Sequence, residues 1–323
     1  MNTNVLRLAC AMSLAASCSI TLAQNYPVKP IRLIIAQAPG SATDVVSRTV
    51  GTKLSEALGQ SIVVDVRPGA GGTLGTEIAA KAPPDGYNLF MANNSTHGAN
   101  PALYAKLPYD AVKDFAPIIF VAATPYVLSV HPSLPVANLK QLIALAKSRP
   151  GQINYASAGN GSTHHLSGEL LKTMAGIEIV HIPYKGTTPG IAALLSGEVS
   201  IMFNTVTGIQ PHVKTGRVKA LAVTTAKRSE MMPGVPTMSE AALPGFEMLS
   251  WFGLLAPAAT PRNVITRVNT ETAKVLAMPE IRTALANQGL ETRGGTPEQF
   301  GDYIKGEIAK ITKIAKTAGV KAE

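Results

Sequence analysis

The chain has 323 residues, 46% of them hydrophobic and 15% charged, with 29 basic and 20 acidic side chains and a net charge of +9. This length exceeds what one compact core usually holds, so we expect two domains. The composition is globular and excludes a disordered or low-complexity chain. The basic residues are scattered, which argues against nucleic acid and favours an anionic small ligand, an acidic surface or a purely solubilising role.

The first 23 residues have the pattern of a secretory signal peptide. Arg7 is the only charge before position 29, and the apolar run Leu8–Leu22 follows it. We expect cleavage after Ala23 and export to the periplasm. A retained membrane anchor and lipidation at Cys18 are the alternatives.

Both cysteines, Cys10 and Cys18, lie in this segment. The mature chain would therefore have no cysteine, which excludes disulfides, thiolate catalysis and cysteine-type zinc sites. No later apolar stretch approaches the ~20 residues that a membrane-spanning helix requires.

Strands and helices alternate in the first part of the mature chain. The predicted elements are a strand (31–36), a loop (37–43), a helix whose apolar face includes Val46 and Leu54 and which stops at Gly59, a strand (62–66), a glycine-rich turn (68–75), a helix through Ala80 and a strand (87–91). Ser41 and Asp44 have the spacing of a capping box, which marks where the first helix begins.

The second part of the chain repeats this order. Its predicted elements are a strand (153–157), a polar loop (158–162), a helix with Leu166, Leu170 and Met174 that ends at Gly176, a strand (177–182), a turn (184–189), a short helix to Leu195 and a strand (199–203). Alternation of this kind implies parallel, doubly wound sheets. Two such lobes in one chain would enclose a cleft.

Two long apolar segments, residues 118–130 and 246–256, can each cross from one lobe to the other. Trp251 lies in the second, either in the core or on the cleft floor. Thr260-Pro261 and Thr296-Pro297 are predicted helix starts, and the apolar face of the last helix is predicted to pack on the first lobe. We therefore expect a discontinuous domain 1 (24–124 and 251–323) and a domain 2 (125–250).

Two loops have the chemistry of anion sites. Residues Pro39–Asp44 and Gly159–Thr163 each open a predicted helix, whose first N–H groups are unpaired and carry a partial positive charge. Both loops combine glycine with serine and threonine hydroxyls. One helix start on each wall of a cleft would suit a dicarboxylate, or a carboxylate with a polar tail. The alternative is that Ser41 and Ser162 only cap their helices.

Motifs for cofactors, metals and catalysis are weak. Gly69–Gly75 follows a strand, but its third glycine is one residue late for a dinucleotide fingerprint, and no P-loop or G-x-S-x-G elbow occurs. His164 and His165 are neighbours and cannot share one helix face, so we expect no metal site. We therefore predict no cofactor and no catalytic residue. The polar run Asn93–His97 follows a strand, and we place Asn93 and Ser95 at the cleft edge.

Several short motifs resemble those of the Bug receptors, the extracytoplasmic solute-binding proteins of tripartite tricarboxylate transporters. They are Lys29-Pro30-Ile31-Arg32, Ala38-Pro39-Gly40-Ser41, Arg67-Pro68-Gly69-Ala70-Gly71-Gly72, Pro84-Asp85-Gly86-Tyr87, Asn100-Pro101-Ala102-Leu103-Tyr104, Asp114-Phe115-Ala116-Pro117, Tyr155-Ala156-Ser157-Ala158-Gly159, Pro183-Tyr184-Lys185-Gly186, Val235-Pro236-Thr237 and Trp251-Phe252-Gly253. Together they span almost the whole mature chain.

The resemblance implies an α/β fold of the periplasmic-binding-protein type (type II, or "Venus flytrap"), with two doubly wound lobes joined by crossover strands around a ligand cleft. It implies no catalysis, a small carboxylate ligand and membrane permease subunits as partners; we expect a monomer that does not bind nucleic acid. The family's ligand contacts carry over to Ala38, Ser41, Asp44, Ala158, Gly159, Ser162 and Thr163. We add Pro39, Thr43, Asn93, Ser95, His164, Tyr184 and Asn204 to the predicted ligand site.

Asn204 and Ser200 stand where the resemblance implies aspartates in many relatives. If Asn204 lines the cleft, the missing charge should disfavour amino acids and favour plain carboxylates. Two other functions stay open. A secreted hydrolase or lyase would draw on His97, His164, His165 or His181, and a sensing receptor would act on a sensor kinase.

Overall fold

The computed structural model describes residues 26–320. Within this range no helix is both long enough and apolar enough to cross a membrane. The predicted cleavage after Ala23 and both cysteines fall outside the described residues.

Strands and helices alternate in the predicted order in residues 31–93 and 154–205. The strands are β1 (Ile31–Ile35), β2 (Ile62–Val66), β3 (Asn88–Asn93), β4 (Phe115–Val130), β5 (Asn154–Ser157), β6 (Val180–Pro183), β7 (Ile201–Thr205), β8 (Lys219–Val223), β9 (Leu249–Pro257) and β10 (Glu291–Thr292). The helices are α1 (Ala42–Leu58), α2 (Thr73–Ala80), α3 (Asn100–Leu103), α4 (Leu139–Ser148), α5 (Thr163–Ala175), α6 (Thr187–Ser196), α7 (Val206–Lys214), α8 (Met238–Ala241), α9 (Arg262–Ala277), α10 (Pro279–Ala286) and α11 (Pro297–Ala318). A 3-10 turn (Ala70–Gly72) precedes α2, and a π-helical turn (Ser95–Ala99) precedes α3.

The sheet runs in the order β2-β1-β3-β9-β4-β7-β5-β6, and β8 and β10 also pair with β4. Pairing is parallel among β1, β2 and β3 and again among β5, β6 and β7, as predicted from the alternation of strands and helices. Strands β4 and β9 are antiparallel to their neighbours, so each half is mixed. The reason is that the chain passes from the first half of the sheet to the second along β4 and comes back to the first half along β9.

Strand β4 belongs to both halves of the sheet. Its first part pairs with β9, and its last five residues, 126–130, pair with β7. Thr124 lies opposite Ser250, so the two predicted domain boundaries meet at one point of this ladder. The domain boundaries themselves stay a prediction.

Each half of the sheet has a hydrophobic cluster on both faces, because successive side chains of a strand point to opposite sides. In β1, Leu33 and Ile35 pack with α1, whereas Ile34 packs with Trp251 and Phe300. Trp251 is completely buried against Phe300, so this residue belongs to the core.

Helix α11 packs differently from the prediction. Phe300 and Ile304 lie in the core of the first half, as expected, but Ile311 and Ile314 belong to the core of the second half. The helix is 22 residues long, about 33 Å at 1.5 Å per residue, which is enough to contact both halves.

The two predicted Thr-Pro helix starts have different outcomes. Thr296 caps α11 in a full capping box with Gln299. Thr260 does not cap α9: the N-cap position is Pro261, one residue later, and no side chain caps this helix.

Candidate functional site

The first predicted wall is the loop between β1 and α1. The Ser41 side-chain oxygen accepts a hydrogen bond from the Asp44 N–H (3.3 Å), so the serine is the helix cap. The Asp44 carboxylate is nearly buried; it accepts from the Gly40 N–H (2.9 Å) and from Arg48 Nε (2.7 Å). Only half of the predicted capping box forms, because the carboxylate binds Gly40 instead of Ser41. Ala38 and Pro39 are exposed.

The second predicted wall is the loop between β5 and α5. Ser162 caps α5 by accepting from the His165 N–H (3.3 Å), and its hydroxyl donates to the Gly159 carbonyl (2.7 Å). Gly159 has φ of +119°, a backbone conformation that side-chain-bearing residues rarely adopt. Ala158 and Thr163 are half-buried. The Ser162 proton is therefore used within the loop and is not free to donate to a ligand.

The end of β3 connects the two walls. Asn93 Nδ2 donates to Thr43 Oγ1 in α1 (3.0 Å), and Asn94 Nδ2 donates to Thr163 Oγ1 in α5 (3.0 Å). The starts of the two helices therefore meet at two consecutive asparagines. We predicted Asn93 but not Asn94. The sequence signal was the polar run after β3, but the sequence does not show which side chain of this run contacts which helix.

The next residues of that run differ in their solvent exposure. Ser95 is exposed, whereas the His97 imidazole is completely buried and packs edge-on against Phe115 at 4.6 Å. Burial lowers the pKa of His97 to about 3. His97 is thus a neutral core residue.

Three further predicted site residues make contacts of their own. His164 is nearly buried and lies edge-on to Tyr126 at 5.1 Å, and burial lowers its pKa to about 4. The Tyr184 hydroxyl donates to Glu198 Oε1 (2.7 Å). Asn204 is fully buried in β7, where Nδ2 donates to the Met202 carbonyl (3.3 Å) and Oδ1 has no protein partner. Ligand contact by these residues stays a prediction.

Apart from the ion pair between Asp44 and Arg48, the electrostatics of both walls come from the backbone. Neither residues 38–43 nor residues 158–163 include a lysine or arginine. Arg48 is half-exposed but paired with Asp44. The first-turn N–H groups of α1 and α5 carry the partial positive charge of helix starts, which binds anions without cationic side chains.

A group of buried and half-buried polar side chains lies next to the second wall. The His165 and His181 rings stack at 3.9 Å with an interplanar angle of 6°, and His181 Nε2 lies 2.6 Å from Ser157 Oγ. The sequence did not predict this group, because its members come from α5, β6 and β5. Among residues 26–320 no cluster of three or more potential metal ligands occurs.

A cavity of about 790 Å³ lies elsewhere, between the starts of α9 and α11 and the first residues of β4. Phe115, Leu255 and Ile265 are among the apolar residues that line it. None of the predicted site residues lines this cavity.

Known proteins show the same architecture. A sequence profile described as tripartite tricarboxylate transporter family receptor matches residues 46–320. The chain belongs to this family. BugT of Bordetella pertussis is 35% identical over 300 residues, 93% of this chain and 92% of BugT.

Solved structures with bound carboxylates are similar to this receptor. R. palustris Rpa4515 with adipate is 38% identical, with a TM-score of 0.73 over 92% of this chain and 99% of that one. MatC from Rhodopseudomonas palustris with bound malate is 32% identical, with a TM-score of 0.69 over 90% and 99%. The predicted resemblance to Bug receptors and the predicted α/β receptor fold are confirmed. The protein is a solute-binding receptor of the tripartite tricarboxylate transporter family.

Proposed function

We propose that this receptor captures a small carboxylate between the loop 38–44 and the loop 158–163 and delivers it to the membrane permease of a tripartite transporter. The observation that carries the proposal is the meeting of two helix starts at Asn93 and Asn94, with no cation in either loop. The adipate and malate held by the two similar receptors support a carboxylate ligand.

A dicarboxylate fits two walls of this kind, because one carboxylate can rest on each helix start. A hydrogen bond to a charged group contributes roughly 1.5–3 kcal/mol. Several such bonds reach the ~8 kcal/mol of micromolar binding. A monocarboxylate with a polar tail and a tricarboxylate are the other candidates.

Capture includes closure of the two lobes. The first lobe consists of residues 24–124 and 251–323, and the second of residues 125–250. The hinge segments are residues 122–125 of β4 and 250–253 of β9, which pair with each other in one antiparallel ladder. Closure requires the ligand to contact both walls in the closed state and only one in the open state. The ligand site is then the cleft between the two lobes, which opens and closes at the hinge segments.

The receptor works in the periplasm as a monomer, exported by the N-terminal segment. The intact mass of protein recovered from the periplasm should correspond to a chain that starts near Gln24. An acyl adduct on Cys18, or a retained N-terminus, would overturn this part of the proposal.

The experiment for ligand capture is titration calorimetry with acetate, adipate, malate and citrate, combined with small-angle scattering. We expect at least one dicarboxylate to bind and to reduce the radius of gyration. If no carboxylate binds, or if the tightest one causes no compaction, the two-wall mechanism is wrong.

An enzyme on the same fold has one feature in its favour, the 2.6 Å contact between Ser157 Oγ and His181 Nε2. A nucleophile and its base need such a contact. However, Ser157 is completely buried, so a substrate carbonyl cannot reach its hydroxyl in this arrangement. We therefore propose binding without turnover: adipate incubated with the receptor should be recovered chemically unchanged.

A further inference from the structure

The stacked imidazoles of His165 and His181 lie directly under the second wall. Their rings are 3.9 Å apart and nearly parallel, and the Tyr155 ring lies 4.9 Å from the His181 ring and 6.5 Å from the His165 ring. His165 is nearly buried and His181 half-buried. One nitrogen of His165 contacts the loop that follows β5, and one nitrogen of His181 contacts Ser157, the last residue of β5.

The hydrogen bonds of these rings reach the two glycines of the loop. His165 Nδ1 accepts from the Gly161 N–H (3.1 Å). His181 Nε2 contacts Ser157 Oγ (2.6 Å), and this hydroxyl oxygen accepts from the Gly159 N–H (3.0 Å). The imidazoles therefore hold the backbone of the loop at both glycines.

The bond to Gly161 requires a neutral His165, whereas His181 Nε2 can donate to Ser157 Oγ in either protonation state because the Ser157 hydroxyl lies 3.2 Å from the Gly159 carbonyl and can donate to it. A backbone N–H can only donate, so His165 Nδ1 must be unprotonated to accept from Gly161. Protonation would place a hydrogen on Nδ1 and break that bond. Two imidazolium rings stacked at 3.9 Å would also repel each other.

The charged groups around the pair compensate a proton only in part. Glu169 Oε1 lies 4.0 Å from His165 Nε2, but this carboxylate already accepts from the Tyr155 hydroxyl (2.7 Å) and from Lys172 Nζ (2.9 Å). Burial lowers the pKa of His165, with the positive charge of Lys172 acting in the same direction and Glu169 opposing. Burial, His165 and Lys172 lower the pKa of His181 to about 4.

We infer that His165 and His181 are positioning residues for the ligand: as a neutral stacked pair they hold Gly159 and Gly161 in the binding conformation, and acid releases the ligand by protonating them. The release of ligand by acid rests on the proposed function of the loop 158–163. The positioning of Gly159 and Gly161 by the two histidines rests only on the contacts above.

The size of the acid effect follows from the linkage between protonation and binding. If the loosened loop returns His181 to its ordinary pKa of 6.5 while the bound loop keeps it at about 4, binding weakens up to about 30-fold between pH 7.5 and pH 5. Coupling to His165 acts in the same direction, because its pKa is lowered as well.

The test uses a variant that keeps the hydrogen bonds but cannot titrate. In His165→Asn the amide oxygen can take the place of Nδ1, and in His181→Gln the amide group can take the place of Nε2. The double variant is compared with the wild-type receptor and with His212→Gln, a histidine in α7 outside this group. Two readouts are recorded: the amide NMR signals of Gly159 and Gly161 without ligand from pH 7.5 to pH 3.5, which spans a pKa of about 4, and the Kd for adipate by calorimetry from pH 7.5 to pH 5.

We expect the two amide signals to follow a histidine titration in the wild type and in His212→Gln but not in the double variant. The adipate Kd should rise up to about 30-fold at pH 5 in the first two proteins and less than about threefold in the double variant. Amide signals that do not titrate, or that titrate equally in the double variant, overturn the positioning role. Titrating signals without a change in wild-type Kd overturn acid release. Failure to bind adipate at any pH counts against the proposed ligand, while the amide signals still decide the positioning role.

Discussion

The hydrogen bond between Asn94 and Thr163 links the end of β3 to the second predicted wall, so it can report on the proposed closure. Asn94 is nearly buried, and Nδ2 donates to Thr163 Oγ1 (3.0 Å) and to the Leu249 carbonyl (3.3 Å). We consider Asn94→Ala, Thr163→Val and the double variant. Valine keeps the shape of threonine and removes its oxygen.

The expected magnitudes follow from the contacts that each variant loses. Asn94→Ala removes the bond to the Leu249 carbonyl and leaves that buried acceptor without this partner, so the free energy of unfolding without ligand should fall by about 1–3 kcal/mol. The bond to Thr163 alone is worth about 0.5–1.5 kcal/mol. If it forms only on closure, this energy appears as coupling in the adipate Kd, equal to a factor of about 2–13.

The assay is a double-mutant cycle measured twice, once for adipate binding by calorimetry and once for urea unfolding without ligand. A closing receptor should show the coupling in binding and little or none in unfolding of the open, ligand-free form. The reverse result, coupling in unfolding and none in binding, would mean that the walls are joined in both states. The clamp mechanism would then be refuted.

Two further predictions concern the caps and the buried histidines. Ser162→Ala removes both a helix cap and a hydrogen-bond donor to Gly159, so urea unfolding should show that the free energy of unfolding falls by about 2 kcal/mol. The matched variant Ser41→Ala removes only a cap and should lose about 1 kcal/mol. Equal losses in the two variants would contradict the double role of Ser162. Because burial lowers the pKa of His97 to about 3 and of His164 to about 4, the unfolded chain binds protons below pH 6.5 that the folded chain does not. The free energy of unfolding should therefore decrease as the pH falls from about 6.5 to about 4 for His164 and to about 3 for His97, by about 2 kcal/mol per histidine at pH 5. Urea unfolding at pH 7.5 and pH 5 measures this loss; His164→Gln should lessen it by about 2 kcal/mol, and an unchanged loss in that variant would contradict the assignment.

Local features were predictable because the residues that determine them are a few positions apart. The α1 and α5 caps, Ser41 and Ser162, each act on an N–H three residues later, and the stops at Gly59 and Gly176 need only the left-handed conformation that glycine adopts freely. The parallel parts of the sheet followed from the alternation of strands and helices. The family motifs extended these predictions to the receptor fold.

The contacts between distant segments depended on the tertiary structure. Asn94 meets Thr163 across 69 positions, and His165 meets His181 only because α5 packs over the β5–β6 pair. In the same way, the position of α11 across both halves was not encoded in its apolar face, which specifies that the helix is buried but not against which core. A periodic pattern determines which side of an element is buried, whereas strand register and helix packing determine which side chains meet there.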